Sequence, residues 1–134
     1  MFEEYEVFLE SISSEDYWSD IGVDVACSQV NKFDDFDWCK LKSTLSMKSE
    51  EWRGRCAESL SDVNDERALY ILLELIRAED ECVAIHAIES INSLFLAGSI
   101  LDVEDVLNVL ADGFENSSRT MQLMSATLAK NLKN

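Results

Sequence analysis

The sequence predicts an all-α domain: a short α-solenoid of antiparallel helix pairs, about three pairs behind an N-terminal capping pair. Three observations carry that expectation. The 134 residues hold no proline, four glycines and no sustained alternating run of Val, Ile and Thr, a composition that favours helix over strand. The stretch from Asp65 to Phe95 reads as two amphipathic helices separated only by Ala78-Glu79-Asp80, and so short a connection makes them antiparallel neighbours. Finally, a step of 31 residues lays Leu41 on Leu72, Leu45 on Ile76, Trp52 on Val83, Cys56 on Ala87, Ala57 on Ile88 and Leu60 on Ile91. Self-similar helix pairs mark a stack in which each pair buries its neighbour's face.

The central helix has the clearest signal. Around a wheel of about 100° per residue, Ala68, Leu69, Ile71, Leu72, Leu73, Leu75 and Ile76 fill most of the circumference, leaving Tyr70, Glu74 and Arg77 for water. A stripe that wide means packing on more than one side. On the next helix, Val83, Ala84, Ala87, Ile88, Ile91, Leu94 and Phe95 share one face, with His86, Glu89, Ser90 and Ser93 opposite.

Taken from the start, Phe2, Tyr5, Phe8, Leu9 and Ile12 give an amphipathic helix with an acidic wet side. Ser13 or Ser14 then caps a second helix with Tyr17, Trp18, Ile21, Val25 and Ala26 inward and Glu15, Asp16, Asp20 and Asp24 largely outward; Gly22 weakens it. NKFDDFD, from Asn31 to Asp37, is a polar loop and the expected internal boundary. A third helix, Asp37 to about Met47, turns Trp38, Leu41 and Leu45 inward, and Ser49 caps a fourth with Trp52, Cys56, Ala57 and Leu60 inward and Arg55, Glu58 and Ser59 on its polar side. Gly98 is the expected C-cap, Asp102 starts a helix that stops at Gly113, and Asn116 or Ser117 starts the last, striped by Met121, Met124, Leu128 and Leu132. The expected organisation is one domain over 1–134, with capping helices in 1–31 and helix pairs in 34–62, 65–97 and 102–133.

Net charge is −16, and residues 1–37 carry 11 acids against Lys32 alone. That field repels nucleic acid and anionic lipid, so neither is an expected partner, and it attracts a basic protein surface; plain solubility is the simpler account of the same charge. An acidic N-terminus, with no apolar run of about 18 residues, speaks against a signal peptide or membrane span and for a cytoplasmic protein. Cys27, Cys39, Cys56 and Cys82 have no CxxC pairing and only His86 to join them, a poor zinc set; they read as buried free thiols rather than two disulfides. No cofactor or metal is expected.

His86 and Glu89 could pair for acid–base work, but no nucleophile, glycine loop or metal cluster accompanies them, so the chain reads as a non-enzyme. Asp34, Asp35 and Asp37 beside Phe33, Phe36 and Trp38 have two readings: a charged, aromatic protein-binding patch, or core aromatics with helix-start aspartates. Glu79-Asp80-Glu81 reads as a capping turn rather than a calcium loop, lacking the ligand spacing and central glycine.

The segments SEEWRGRCAESLSDVNDERALYILLELI and DECVAIHAIESINSL resemble HEAT-type repeats: an outer helix with an A-L-x-x-L-L core, an acidic turn, and an inner helix opening on an apolar–Arg pair. Trp52-Arg53 stands at that pair in the first copy, whereas Ala84 replaces the arginine in the second. The resemblance implies the solenoid but no particular function. A small, acidic helical-repeat chain without catalytic groups also resembles the immunity proteins of bacterial toxin systems, which neutralise a cognate toxin domain by stoichiometric binding. That resemblance implies a basic toxin domain as partner, bound by a monomer in a 1:1 complex. The expected binding residues are Asp34, Asp35, Asp37, Arg55, Glu58, Ser59, His86, Glu89, Ser90 and Ser93. The alternative is a HEAT-type scaffold or adaptor that binds a peptide or partner complex.

Overall fold

The structure, a computed structural model, describes residues 1–99, 102–111 and 117–133. Every regular element among these residues is helical. In chain order they are α1 (Phe2–Ser11), α2 (Glu15–Tyr17), a π-helical stretch (Trp18–Gly22), α3 (Val23–Val30), α4 (Asp35–Thr44) with a 3-10 turn (Leu45–Met47), α5 (Glu50–Ser59), α6 (Glu66–Leu75), α7 (Glu81–Leu96), α8 (Val103–Ala111) and α9 (Arg119–Lys133).

Side-chain caps start these helices where the sequence has short oxygen-bearing residues. Ser14, Asp34, Ser49, Asp65 and Asp80 each accept a backbone N–H from the first turn they open. The caps Asp34 and Asp65 lie 31 residues apart, as do Ser49 and Asp80, so the repeat read from apolar positions is kept by the helix starts. Asp80 confirms the capping reading of the acidic turn. Gly98, at φ 75°, closes α7: its N–H reaches Phe95 O at 3.0 Å and the Ser99 N–H reaches Leu94 O at 2.9 Å. Asp102 accepts the Asp105 N–H at 3.2 Å, and Ser118, one residue beyond the expected Ser117, caps α9 through the Met121 N–H. Gly113 and Asn116 lie outside the described residues.

In α6 the expected pattern holds residue for residue, with Ala68 through Ile76 buried except for Tyr70 and Glu74. The middle of the molecule is nevertheless α5. It touches α1, α3, α6 and α7, and buries Trp52, Gly54, Arg55, Cys56, Ala57 and Ser59. Small residues allow that close approach, and the two polar side chains are satisfied internally. Arg55 Nη1 donates to Leu9 O at 2.8 Å, taking up one of the carbonyls left free at the end of α1. Ser59 Oγ lies 2.7 Å from Tyr5 Oη and donates to Cys56 O. The indole N–H of Trp52 donates to Glu6 O at 3.2 Å. Around these bonds Tyr5, Phe33, Trp38 and Trp52 meet edge-on, with ring centroids 5.4–5.9 Å apart. Phe33 thus ties the 31–34 loop into the core.

The second helical segment departs from expectation. Trp18, Gly22, Ala26 and Val30 are its buried residues, whereas Tyr17, Ile21 and Val25, expected inward, are 41%, 53% and 37% exposed. From Glu15 to Val30 the chain reads EDYW-SDIG-VDVA-CSQV, a pattern of period four whose fourth position is the core stripe. Steps of four drift about 40° around an α-helix, and the wider π-helical turns take up that drift. Gly22 belongs to the core stripe because a Cβ there would stand 2.9 Å from Trp18 Cε3. Gly22→Ala is therefore expected to lower stability by about 1–3 kcal/mol through overpacking, against the roughly 1 kcal/mol that alanine gains by helix propensity. Gly54 is the control, since its added Cβ meets His86 Cδ2 at an ordinary 3.5 Å. Gly54→Ala should be neutral or stabilising by about 0.5–1 kcal/mol, and urea midpoints of the two variants compare them directly.

All four cysteines are free thiols, but only Cys56 is fully buried; Cys27 is half-buried, and Cys39 and Cys82 are exposed, correcting the expectation of four buried thiols. Cys39 sits on α4 and Cys82 in the first turn of α7. Burial pushes the Cys56 thiol up to about 12, so it holds its proton at neutral pH. Brief alkylation of the native protein is expected to modify Cys39 and Cys82 and to spare Cys56 until denaturant is added. Equal labelling of the three by mass spectrometry would contradict this packing of α5.

Candidate functional site

A cleft of about 510 Å³ opens between the start of the second helical segment and the first turns of α5 and α7. The 31-residue step brings α5 and α7 side by side with their N-terminal ends in register, which gathers the acids of both starts. Glu15, Glu50, Glu51, Glu58 and Asp80 wall the cleft, with Trp18, Arg55 and His86 among them. A second hollow of about 340 Å³ continues from it along α7, sharing Glu58 and His86 and adding Glu89, Ser90 and Ser93.

Glu58 is the junction. Its Oε2 accepts the Trp18 indole N–H at 2.6 Å. Its Oε1 lies 3.2 Å from His86 Nδ1, within ion-pair distance, and among the described residues the buried Nδ1 has no hydrogen-bond partner. The guanidinium of Arg55 lies 5.9 Å from the Trp18 ring centroid, and its Nη2 bonds Glu51 at 2.6 Å. With Nη1 already on Leu9 O, the guanidinium is committed to the protein's own groups. The carboxylates around it keep a negative field in the cleft.

The ten residues expected at the site fall into three groups: six on the hollows, Ser59 in the core, and three aspartates elsewhere. Arg55, Glu58, His86, Glu89, Ser90 and Ser93 do line the two connected hollows. The placement of Arg55, Ser59 and Ser90 on a wet face is corrected: all three are buried. Ser59 bonds within the core, and Ser90 Oγ donates to Ala57 O across the α5–α7 contact at 2.6 Å. The third group, Asp34, Asp35 and Asp37, lines neither hollow. Asp34 and Asp37 form a reciprocal capping box on α4, and Asp37 also accepts the Phe2 N–H at 3.0 Å. Burial works against ionisation of Asp37, yet the Asp34 and Phe2 N–H groups hold its carboxyl below the ordinary carboxylate range. Of the two readings of this triad, helix-start residues fit Asp34 and Asp37. Asp35 is exposed and pairs with Arg67 at 2.5 Å. Trp38 is core, while Phe36 is 67% exposed under Lys40.

Sequence reasoning missed Glu15, Trp18, Glu50, Glu51 and Asp80. The signal for three of them was present: Glu50 and Glu51 come directly after the Ser49 cap, and Asp80 is the matching cap one repeat on. Among the described residues no group of three or more His, Cys, Asp or Glu side chains is arranged to hold a metal ion, and no helix is long and apolar enough to cross a membrane. Comparison with protein-family models, curated proteins and solved structures gives no match for this chain.

Proposed function

We propose that the protein is a non-enzymatic, cytoplasmic protein-binding module. In this reading it acts as an immunity protein whose acidic cleft receives basic side chains of a toxin domain in a 1:1 complex. One observation carries it: the cleft is walled by carboxylates while its guanidinium, Arg55, is bonded to Leu9 O and Glu51. An incoming Arg or Lys therefore meets the carboxylates of the cleft without displacing Arg55, and a guanidinium would match the paired oxygens of a carboxylate. The same reading treats the molecule as a HEAT-like solenoid of antiparallel pairs. Its support is that α3, α5, α7 and α9 touch one another in that order, with α6 on α7 and α8 on α9.

The test begins with cross-linked capture of the partner from the source cells and its purification, followed by surface plasmon resonance across a salt series. A basic partner whose association slows with salt is expected. Glu58→Gln, which keeps a hydrogen-bond acceptor for Trp18, is expected to raise koff about tenfold or more, and Glu15→Gln at the rim mainly to lower kon. An acidic partner, or binding indifferent to salt and to both changes, would overturn charge-complementary blocking and leave the adaptor reading.

A further inference from the structure

We propose that the exposed stripe Tyr17, Ile21 and Val25 is a second docking surface, fitted to a basic amphipathic helix of a partner protein. The period-four pattern sets the geometry. Trp18, Gly22, Ala26 and Val30 fix the segment from beneath, so Tyr17, Ile21 and Val25 stand in one row at four-residue steps, half open to water. Directly beside them runs a parallel row, Asp16, Asp20 and Asp24, all exposed. Among the described residues no cation pairs with any of the three.

An apolar ridge and an acidic ridge at the same spacing are the complement of a helix that carries apolar residues and Lys or Arg in adjacent four-residue rows. Successive positions in each row are about 6 Å apart along the axis. Ridges of this spacing interdigitate when two helices cross at about −50°, and the anchors would be read in the manner of a helix docked by its apolar face. Charge selects the occupant. A second copy of this chain would bring the same aspartates to the interface at a net charge of −16 each, and an anionic membrane would be repelled for the same reason. A basic helix is attracted.

This surface is distinct from the cleft, and its test is independent of it. The ¹⁵N-labelled full chain would be titrated with a synthetic peptide of about five helical turns carrying leucine and arginine in adjacent four-residue rows. A matched peptide with glutamate for arginine serves as control. The expected result is amide shift changes centred on residues 16–25 and affinity reduced about tenfold or more by Ile21→Ser. Joint replacement of Asp16, Asp20 and Asp24 by asparagine is expected to weaken binding and flatten its salt dependence, while Glu58→Gln leaves it unchanged. Thermal melts of Ile21→Ser and Val25→Asn, both at exposed positions, confirm the fold. The proposal is overturned if both peptides bind alike, if shifts centre on Glu58 and His86, if Ile21→Ser and Val25→Asn bind with wild-type affinity, or if sedimentation shows the stripe occupied by a second copy.

Discussion

Leu72→Ala is expected to cost about 2–5 kcal/mol of unfolding free energy, the range for deleting a buried leucine from a core that cannot collapse around the void. Leu72 is fully buried, on a helix that presses on α7 and α5. Its neighbours on the same face, Ala68, Leu69, Leu75 and Ile76, are also buried, so no exposed side chain lies over the hole. Set against the roughly 5–15 kcal/mol typical of a domain, the loss should shift the urea midpoint far down with an unchanged slope. Tyr70→Ala on the same helix, at a side chain 47% exposed, should stay within about 0.5 kcal/mol. A Leu72→Ala midpoint equal to wild type would mean that α6 does not occupy the core as described.

Arg55→Met should lower stability by about 1.5–3 kcal/mol, the usual worth of a hydrogen bond to a charged group. The methionine keeps the apolar stem but strands Leu9 O at the end of α1 and releases Glu51. Arg55→Lys should not restore the loss, because one ammonium cannot span two acceptors as the guanidinium fork does. Glu51→Gln should matter little, since that side chain is 72% exposed and exposed pairs contribute little. Were Arg55→Met fully stable but defective in binding, the arginine would be a contact residue, as its wheel position alone implies.

That contrast shows where the sequence could be read and where it could not. The apolar face of α6 is a run of local choices at helical spacing, and local periodicity recovers it completely. The caps at Asp65 and Asp80 are equally local. Arg55 and Ser59 look polar on a wheel, but their partners, Leu9 O and Tyr5, are 46 and 54 residues away in the chain. No short-range pattern announces such partners. Ile21 and Val25 are misplaced for another reason: a fixed 100° step treats the segment as pure α-helix, and the π-helical turns at Trp18–Gly22 rotate residues within and after them around the axis. At the site, Glu58, His86 and Glu89 come together through the repeat, whereas Glu15 and Trp18 arrive from a segment outside it.

The bond from the Trp18 indole to Glu58 also gives the molecule an optical property. An indole whose N–H is held by a carboxylate emits according to that carboxylate's surroundings, so any cation drawn to Glu58 perturbs the fluorophore directly. Trp38 and Trp52 line neither hollow and do not bond Glu58; they lie in the aromatic core, away from such an event. The cleft thus carries its own lamp, and filling it should register as a change in tryptophan emission with no dye attached.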